Sequence, residues 1–171
     1  MLDQASRQAT FLVAGRMPRP YPYYPAWDNT KVSPGIVALQ ALCKARWNTG
    51  SYGDYVNRTM RNSGNLSVHA TGAAWDIVYK DEAQARVIWD WLLGNSKALG
   101  ICELHWYAYG KYGAGYRCSR GEGKRGVKIY TATDNAGSYE GNPNWLHIEI
   151  DQKMANDAAL LRSVWAKLPY P

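Results

Sequence analysis

The sequence predicts a single α+β domain with a mostly antiparallel sheet flanked by about three helices. Three observations lead there. Apolar residues recur at helical spacing in three separated stretches, alternating or aromatic runs of strand length lie between them, and glycine- or asparagine-rich turns punctuate the two kinds. The resulting order of helix, strands, helix, strands, helix is that of an α+β fold. A chain of 171 residues suits one such unit, since domains run about 100 to 200 residues.

Residues 1–32 read as an arm or linker ahead of a domain over 33–171. The run Pro18-Arg19-Pro20-Tyr21-Pro22-Tyr23-Tyr24-Pro25 forbids helix and favours polyproline geometry. Its tyrosines favour an arm lying on the domain over a solvated tether. Ser33-Pro34 is a helix start, with a capping hydroxyl followed by proline at the first helical position. Ile36, Leu39, Cys43 and Trp47 follow as one apolar face, and Asn48-Thr49-Gly50 ends it. Tyr52 to Met60 is expected to be strand-like, Asn62 to Asn65 a turn, and Ala73 to Tyr79 a strand.

Asp81-Glu82 opens a second helix, where acidic residues suit the N-terminal dipole. Its expected apolar face is Val87, Ile88, Trp91 and Leu92, with Gly94-Asn95 at its end. Ile101 to Tyr107 reads as a strand, residues 110–126 as a long glycine-rich basic loop, and Val127 to Thr131 as a short strand. Gly121-Glu122-Gly123-Lys124 lacks the full phosphate-loop spacing, and no strand leads into it. Asn135 to Pro143 is a loop, Trp145 to Ile150 a strand, and Ala155 to Lys167 a terminal helix.

Composition narrows the classes of function. Trp 8 and Tyr 13 against Phe 1 means aromatic rings with polar handles, suited to carbohydrate or peptide grooves or to a tryptophan-rich core. A formal charge of +6 favours an acidic partner. The closest basic cluster (Arg117, Arg120, Lys124, Arg125, Lys128) belongs to no recognisable nucleic-acid module, so the expectation is no nucleic acid. Cys43, Cys102 and Cys118 are odd in number and lack framework spacing, so they read as reduced thiols. Cys43 falls in a predicted helix interior, a poor place for a reactive thiolate, which weighs against a thiol peptidase. No apolar run approaches the ~20 residues of a membrane span, so no membrane insertion is expected. Residues 1–14 lack a basic start and a signal cleavage pattern, which predicts synthesis in the cytoplasm without a standard export signal.

The chemistry-bearing residues cluster in two stretches, Ser67 to Asp76 and Trp145 to Ile150, which hold two of the three histidines. His69 and Asp76 lie seven residues apart, too far for neighbours on one helical turn. They converge if His69 sits on a loop and the chain then enters a strand carrying Asp76. His147 on an adjacent strand completes two imidazoles and one carboxylate, a set that leaves a coordination position open as catalytic Zn²⁺ requires. Gly72 permits a sharp turn between the ligands, small Ala74 permits close strand packing, and Ser67 is placed to hydrogen-bond a ligand. Taken singly, His69 and Asp76 also fit a satisfied loop histidine and an ordinary strand-end charge.

Ser-x-His-x-x-Gly-x-Ala-x-Asp over 67–76, followed by Trp-x-His over 145–147, resembles the D-Ala-D-Ala carboxypeptidase group of zinc peptidases. That group includes bacterial D,D-peptidases and phage L-alanyl-D-glutamate endolysins, and shares its fold with the hedgehog signalling domain. Tyr52-Gly53, the arginines of residues 55–61 and the segment 145–149 look most similar to phage-encoded members, and the resemblance spans roughly residues 34 to 168. It implies a zinc peptidase acting on the stem peptides of bacterial peptidoglycan, with virion tail proteins as possible partners. Such a protein would reach the wall through a virion, a lysis pore or a host secretion device.

The resemblance also assigns roles. An arginine upstream of the metal loop helps hold the substrate carbonyl or carboxylate, which points to Arg58 or Arg61 as the cation facing the developing oxyanion. The catalytic carboxylate of the group stands three residues before the last histidine ligand, and here that position is Asn144. A neutral amide cannot take and return a proton. Either another acid serves, most simply Glu149 on the strand face of His147, or the protein is a binding descendant that keeps the metal for structure, or Asn144 replaces a natural Asp by engineering. Glu103 and His105 share a strand face and are expected to line the cleft beside the zinc as substrate contacts rather than ligands.

Overall fold

A computed structural model describes residues 30–60, 64–134 and 143–170. Nearly all of the Pro/Tyr-rich arm, Arg61, part of the turn after it and the loop over 135–142 lie outside the described residues. Six strands, β1 (Gly50–Gly53), β2 (Ala74–Val78), β3 (Ile101–Trp106), β4 (Ala114–Arg117), β5 (Val127–Ile129) and β6 (Trp145–Ile150), form one sheet in the order β1-β2-β6-β3-β4-β5. Every pairing is antiparallel. With helices α1 (Pro34–Trp47), α2 (Glu82–Gly94), α3 (Gln152–Asn156) and α4 (Ala158–Ala166), this is the α+β architecture the sequence predicts.

The last strand lies between β2 and β3, so its side chains have neighbours on both sides. Because residues alternate faces along each strand, the register sorts the sheet into rows. Trp75, Ile148, Leu104 and Tyr116 form one row, and Asp76, His147, His105 and Gly115 the next. The first row faces the core, where Leu146, Ile148, Ile150, Leu104 and Ile77 are fully buried with Ile36 and Leu39 of α1 and Ile88 and Leu92 of α2. Each such burial contributes about 1.5–3 kcal/mol. Trp47, Trp91 and Trp165 join α1, α2 and α4 with centroids 4.5–5.8 Å apart. Most of the tryptophan surplus is therefore core.

Side-chain caps define the helix starts. Asp81, Asp151 and Asp157 accept from Gln84 N, Met154 N and Leu160 N, each worth about 1 kcal/mol. The cap at Asp157, which leaves the helical region at φ −125°, divides the expected terminal helix into α3 and α4, so the helices number four rather than three. Ser33 stands before Pro34 as expected, but its hydroxyl does not cap α1. It donates to Gly72 O at 2.7 Å, and Ser33 N does so at 3.0 Å, which pins the start of α1 to the loop between His69 and Asp76.

Three further expectations are corrected. β1 ends at Gly53 after a register shift, and residues 54–60 make only a Thr59–Leu66 bridge, so Arg58 is not on a strand. Val87 is exposed, while Ile88, Trp91 and Leu92 are buried as expected and Ala85, Trp89 and Leu93 join them on the apolar face of α2. The stretch 110–126 contains β4, whose Ala114, Gly115 and Tyr116 are buried. Its glycines suggest a loop, but Gly115 meets a packing demand. A Cβ there would overlap the Tyr130 hydroxyl and His105 Nδ1.

Candidate metal centre

His69 lies in a 3-10 turn, Val68–Thr71, that leads into β2. Ser67 caps this turn by accepting from His69 N at 3.3 Å, so it holds the ligand's backbone rather than its ring. Gly72 closes it at φ +71°, where a residue with a Cβ is disfavoured, and donates to His69 O at 3.0 Å. The sharp turn expected of Gly72 is present. It brings His69 back over β2, beside Asp76, while the register sets Asp76 opposite His147 on β6.

Three donor atoms meet. His147 Nδ1 is 2.8 Å from Asp76 Oδ1, His69 Nε2 is 3.5 Å from the same oxygen, and the two ring nitrogens are 3.2 Å apart. Tetrahedral bonds of about 2.0–2.1 Å to one zinc ion would separate donors by about 3.3 Å, so the triangle has the right size. The far side of each imidazole supplies a second test. His69 Nδ1 donates to Asp54 O at 2.8 Å, and His147 Nε2 to Glu149 Oε1 at 3.2 Å. Both acceptors fix the N–H on the remote nitrogen, leaving the near nitrogens, His69 Nε2 and His147 Nδ1, as lone pairs aimed at Asp76. Three acceptors facing one another at this range require a positive charge among them.

The electrostatics say the same. Burial opposes the charge on His147, yet hydrogen bonds to Asp76 and Glu149 and their negative charge push the imidazole up to about 10. Burial likewise opposes the Asp76 carboxylate, and His147 and His69 overcome it, holding the group well below the usual carboxylate range. A proton on His147 Nδ1 thus takes the place a divalent cation would occupy. The three residues fit a metal ion as donors, and His147 retains 13% side-chain exposure.

His105 belongs to a separate buried chain. Its Nε2 donates to Glu103 Oε2 at 2.7 Å, and Tyr130 donates its hydroxyl to Nδ1 at 2.6 Å. Burial pushes His105 down despite Glu103, and pushes Tyr130 up to about 12, so the ring is neutral and the phenol stays protonated. Both ring nitrogens are engaged, and His105 is no ligand. Arg117 Nε lies 3.3 Å from Glu103. Glu103 and His105 share the face of the three donors, since Glu103 is opposite Glu149 and His105 opposite His147, but both are buried and bonded to each other rather than lining an open cleft.

The other candidates are placed less centrally. Glu149 reaches the cluster through the remote nitrogen of His147, where it orients a ligand. Asn144 is exposed just before β6 and gives its carbonyl to Tyr79 N at 2.9 Å. Arg58 is exposed, with Nη1 on Thr59 O at 3.2 Å, and its carbonyl accepts from Ser67 N at 2.9 Å. Burial pushes the Cys43 thiol up, against Arg46, and leaves it without nucleophilic character.

Sequence reasoning misses Asp54, Gly115 and Tyr130. Asp54 acts through its backbone carbonyl, which every residue has, while Gln40 of α1 donates to its carboxylate at 2.9 Å. Only the pairing of β3 with β4 reveals that Gly115 makes room for His105 and Tyr130. No family model, curated protein or solved structure matches the chain.

Proposed function

We propose that this protein is a zinc-dependent peptidase of bacterial peptidoglycan that hydrolyses a peptide bond in the stem peptides, as phage endolysins and virion-associated lysins do. The observation that carries the reading is the convergence of His69 Nε2, Asp76 Oδ1 and His147 Nδ1 within 2.8–3.5 Å. Each imidazole turns one ring nitrogen to the centre and hydrogen-bonds outward through the other. The resemblance of residues 67–76 and 145–147 to the D-Ala-D-Ala carboxypeptidase motif supports the choice of substrate class. A zinc ion held there would bring the pKa of a bound water toward ~7 and polarise the scissile carbonyl.

The chain's own groups prepare that chemistry. Asp54 and Glu149 hold the ligand N–H protons, and Asp76 supplies the negative charge that retains a dication. Arg58 and Arg61 stand upstream of the loop as candidates to meet the substrate's oxygen, and Ser67 keeps that loop in shape. The proton carrier is the open element of the mechanism. Asn144 has no acid, and beyond the three donors the carboxylate in contact with His147 is Glu149, whose Oε1 accepts from the ring.

That engagement favours a second reading, a non-catalytic zinc-containing wall-binding or virion module on the same scaffold. One experiment separates them: metal analysis of the purified protein followed by digestion of isolated wall, with and without a chelator. Zinc near one equivalent and chelator-sensitive release of peptide amines support the peptidase. Zinc without release supports the binding module, and an Asn144→Asp variant gaining about 10²- to 10⁴-fold in release would then identify the missing acid. Release that survives chelation would sink the zinc mechanism.

A further inference from the structure

The metal centre has an aromatic neighbour that its chemistry does not use. Trp145 opens β6 on the face that carries His147 and Glu149, one strand repeat, roughly 7 Å, from the ligand. Tyr52 of β1 lies parallel to it, with an interplanar angle of 7° and centroids 5.9 Å apart. Tyr107 buttresses the same indole in a T-shaped contact at 5.1 Å and itself stacks on His105 at 5.7 Å. The wall ends in a tyrosine that is 72% exposed, so packing the core does not require it.

We propose that Tyr52 and Trp145 form a saccharide subsite that seats one N-acetylated pyranose ring of the wall glycan beside the metal centre. The choice of a wall glycan rests on the function proposed above. The geometry selects a sugar over other stacking ligands. Rings that bind an ammonium group surround it as a cage, whereas Tyr52 stacks parallel to Trp145 and, being exposed, turns one flat side to solvent. That side matches the C–H face of a pyranose, and the phenol hydroxyl supplies a polar edge for sugar hydroxyls. A nucleobase would also stack, but its phosphates need a cationic groove. On this sheet face the cations are engaged, Arg117 with Glu103 and Lys128 with Asp134, and a neutral sugar needs none.

The test is titration of the full chain, zinc-loaded and metal-free, with two sugar probes, the N-acetylglucosamine tetramer, which has no peptide, and a wall disaccharide bearing its stem peptide, and with the sugar-free stem peptide as comparison. Tryptophan fluorescence and the Trp145 indole resonance are the readouts. Saturable binding of both probes is expected, with shifts at Trp145, and Tyr52→Ala should weaken it about 10-fold while Tyr52→Trp retains it. Tyr112→Ala, at a tyrosine 44% exposed elsewhere, serves as the control and should bind as the parent does. Should Tyr52→Ala fail to fold, the Trp145 shifts in the parent still decide. Binding of neither probe, shifts that bypass Trp145, or undiminished binding by folded Tyr52→Ala would overturn the proposal, as would equal shifts from the sugar-free stem peptide. Tetramer binding needs neither metal nor turnover. A chain that binds it through Tyr52 yet releases no peptide keeps this subsite and loses the peptidase reading, and wall digestion without Tyr52-dependent binding does the reverse.

Discussion

The two faces of β6 differ in nearly every physical respect although they share a backbone. Leu146, Ile148 and Ile150 point into the core and are fully buried. Trp145, His147 and Glu149 point the other way, and two of them hold or orient the metal triangle. The division continues across the sheet, with Trp75, Ile148, Leu104 and Tyr116 in one row and Asp76, His147, His105 and Gly115 in the next. Apolar burial is non-directional and adds up over many contacts. The opposite face withdraws carboxylates and imidazoles from water, which is unfavourable unless each is hydrogen-bonded in specific geometry. Stability is concentrated on one face and chemistry on the other, so mutation should separate them.

The largest effects test that separation directly. Leu104→Ala should lower the unfolding free energy by about 2–5 kcal/mol in denaturant titrations, while the folded fraction still takes up zinc. Asp76→Asn keeps the shape and an acceptor for His147 but removes the charge, and should lower zinc affinity by more than about 100-fold while the protein still folds. Were Asp76→Asn to unfold the protein and Leu104→Ala to abolish zinc uptake, the two faces would not be separate. Next in size, zinc at 100 times its dissociation constant should raise the parent's stability by about 2.7 kcal/mol in thermal melts. The same addition should leave Asp76→Asn unmoved. Glu149→Gln comes third: with the orienting carboxylate neutral, zinc affinity by competitive titration should fall about 10- to 100-fold.

What the sequence made legible follows the same division. The core face can be read because periodicity records it. Ile36, Leu39 and Cys43 at helical spacing and the alternation of 145–150 give α1 and β6 almost to the residue. The convergence of His69, Asp76 and His147 is legible because few residue types can ligate a metal, and the motif spacing brackets these three. The supports are not. A carbonyl such as Asp54 O carries no signature, the Ser33 hydroxyl serves the metal loop rather than its own helix, and Gly115 looks like a loop glycine until His105 and Tyr130 are set beside it. Alternation along the strand offers Glu149 as a proton carrier because it shares a face with His147. Its contact with the remote ring nitrogen makes it first an orienting group, a distinction of one ring edge that alternation cannot encode.

The smallest expected effect asks whether the polar face is one coupled unit or a metal triangle beside an independent network. Tyr130 donates to His105, and His105 to Glu103, which lies opposite Glu149 across the β3–β6 pair. Tyr130→Phe removes one hydroxyl and leaves the ring in place, so it should lower stability by about 1 kcal/mol, the net worth of one hydrogen bond. Because both nitrogens of His105 are engaged within its own chain and neither touches the metal donors, zinc affinity should change less than about threefold, well short of the range for a group that orients a ligand directly. A change as large as that for Glu149→Gln would mean that the rows communicate through the Glu103–Glu149 pair. The boundary of the metal site would then have to be drawn around the whole polar face rather than around His69, Asp76 and His147.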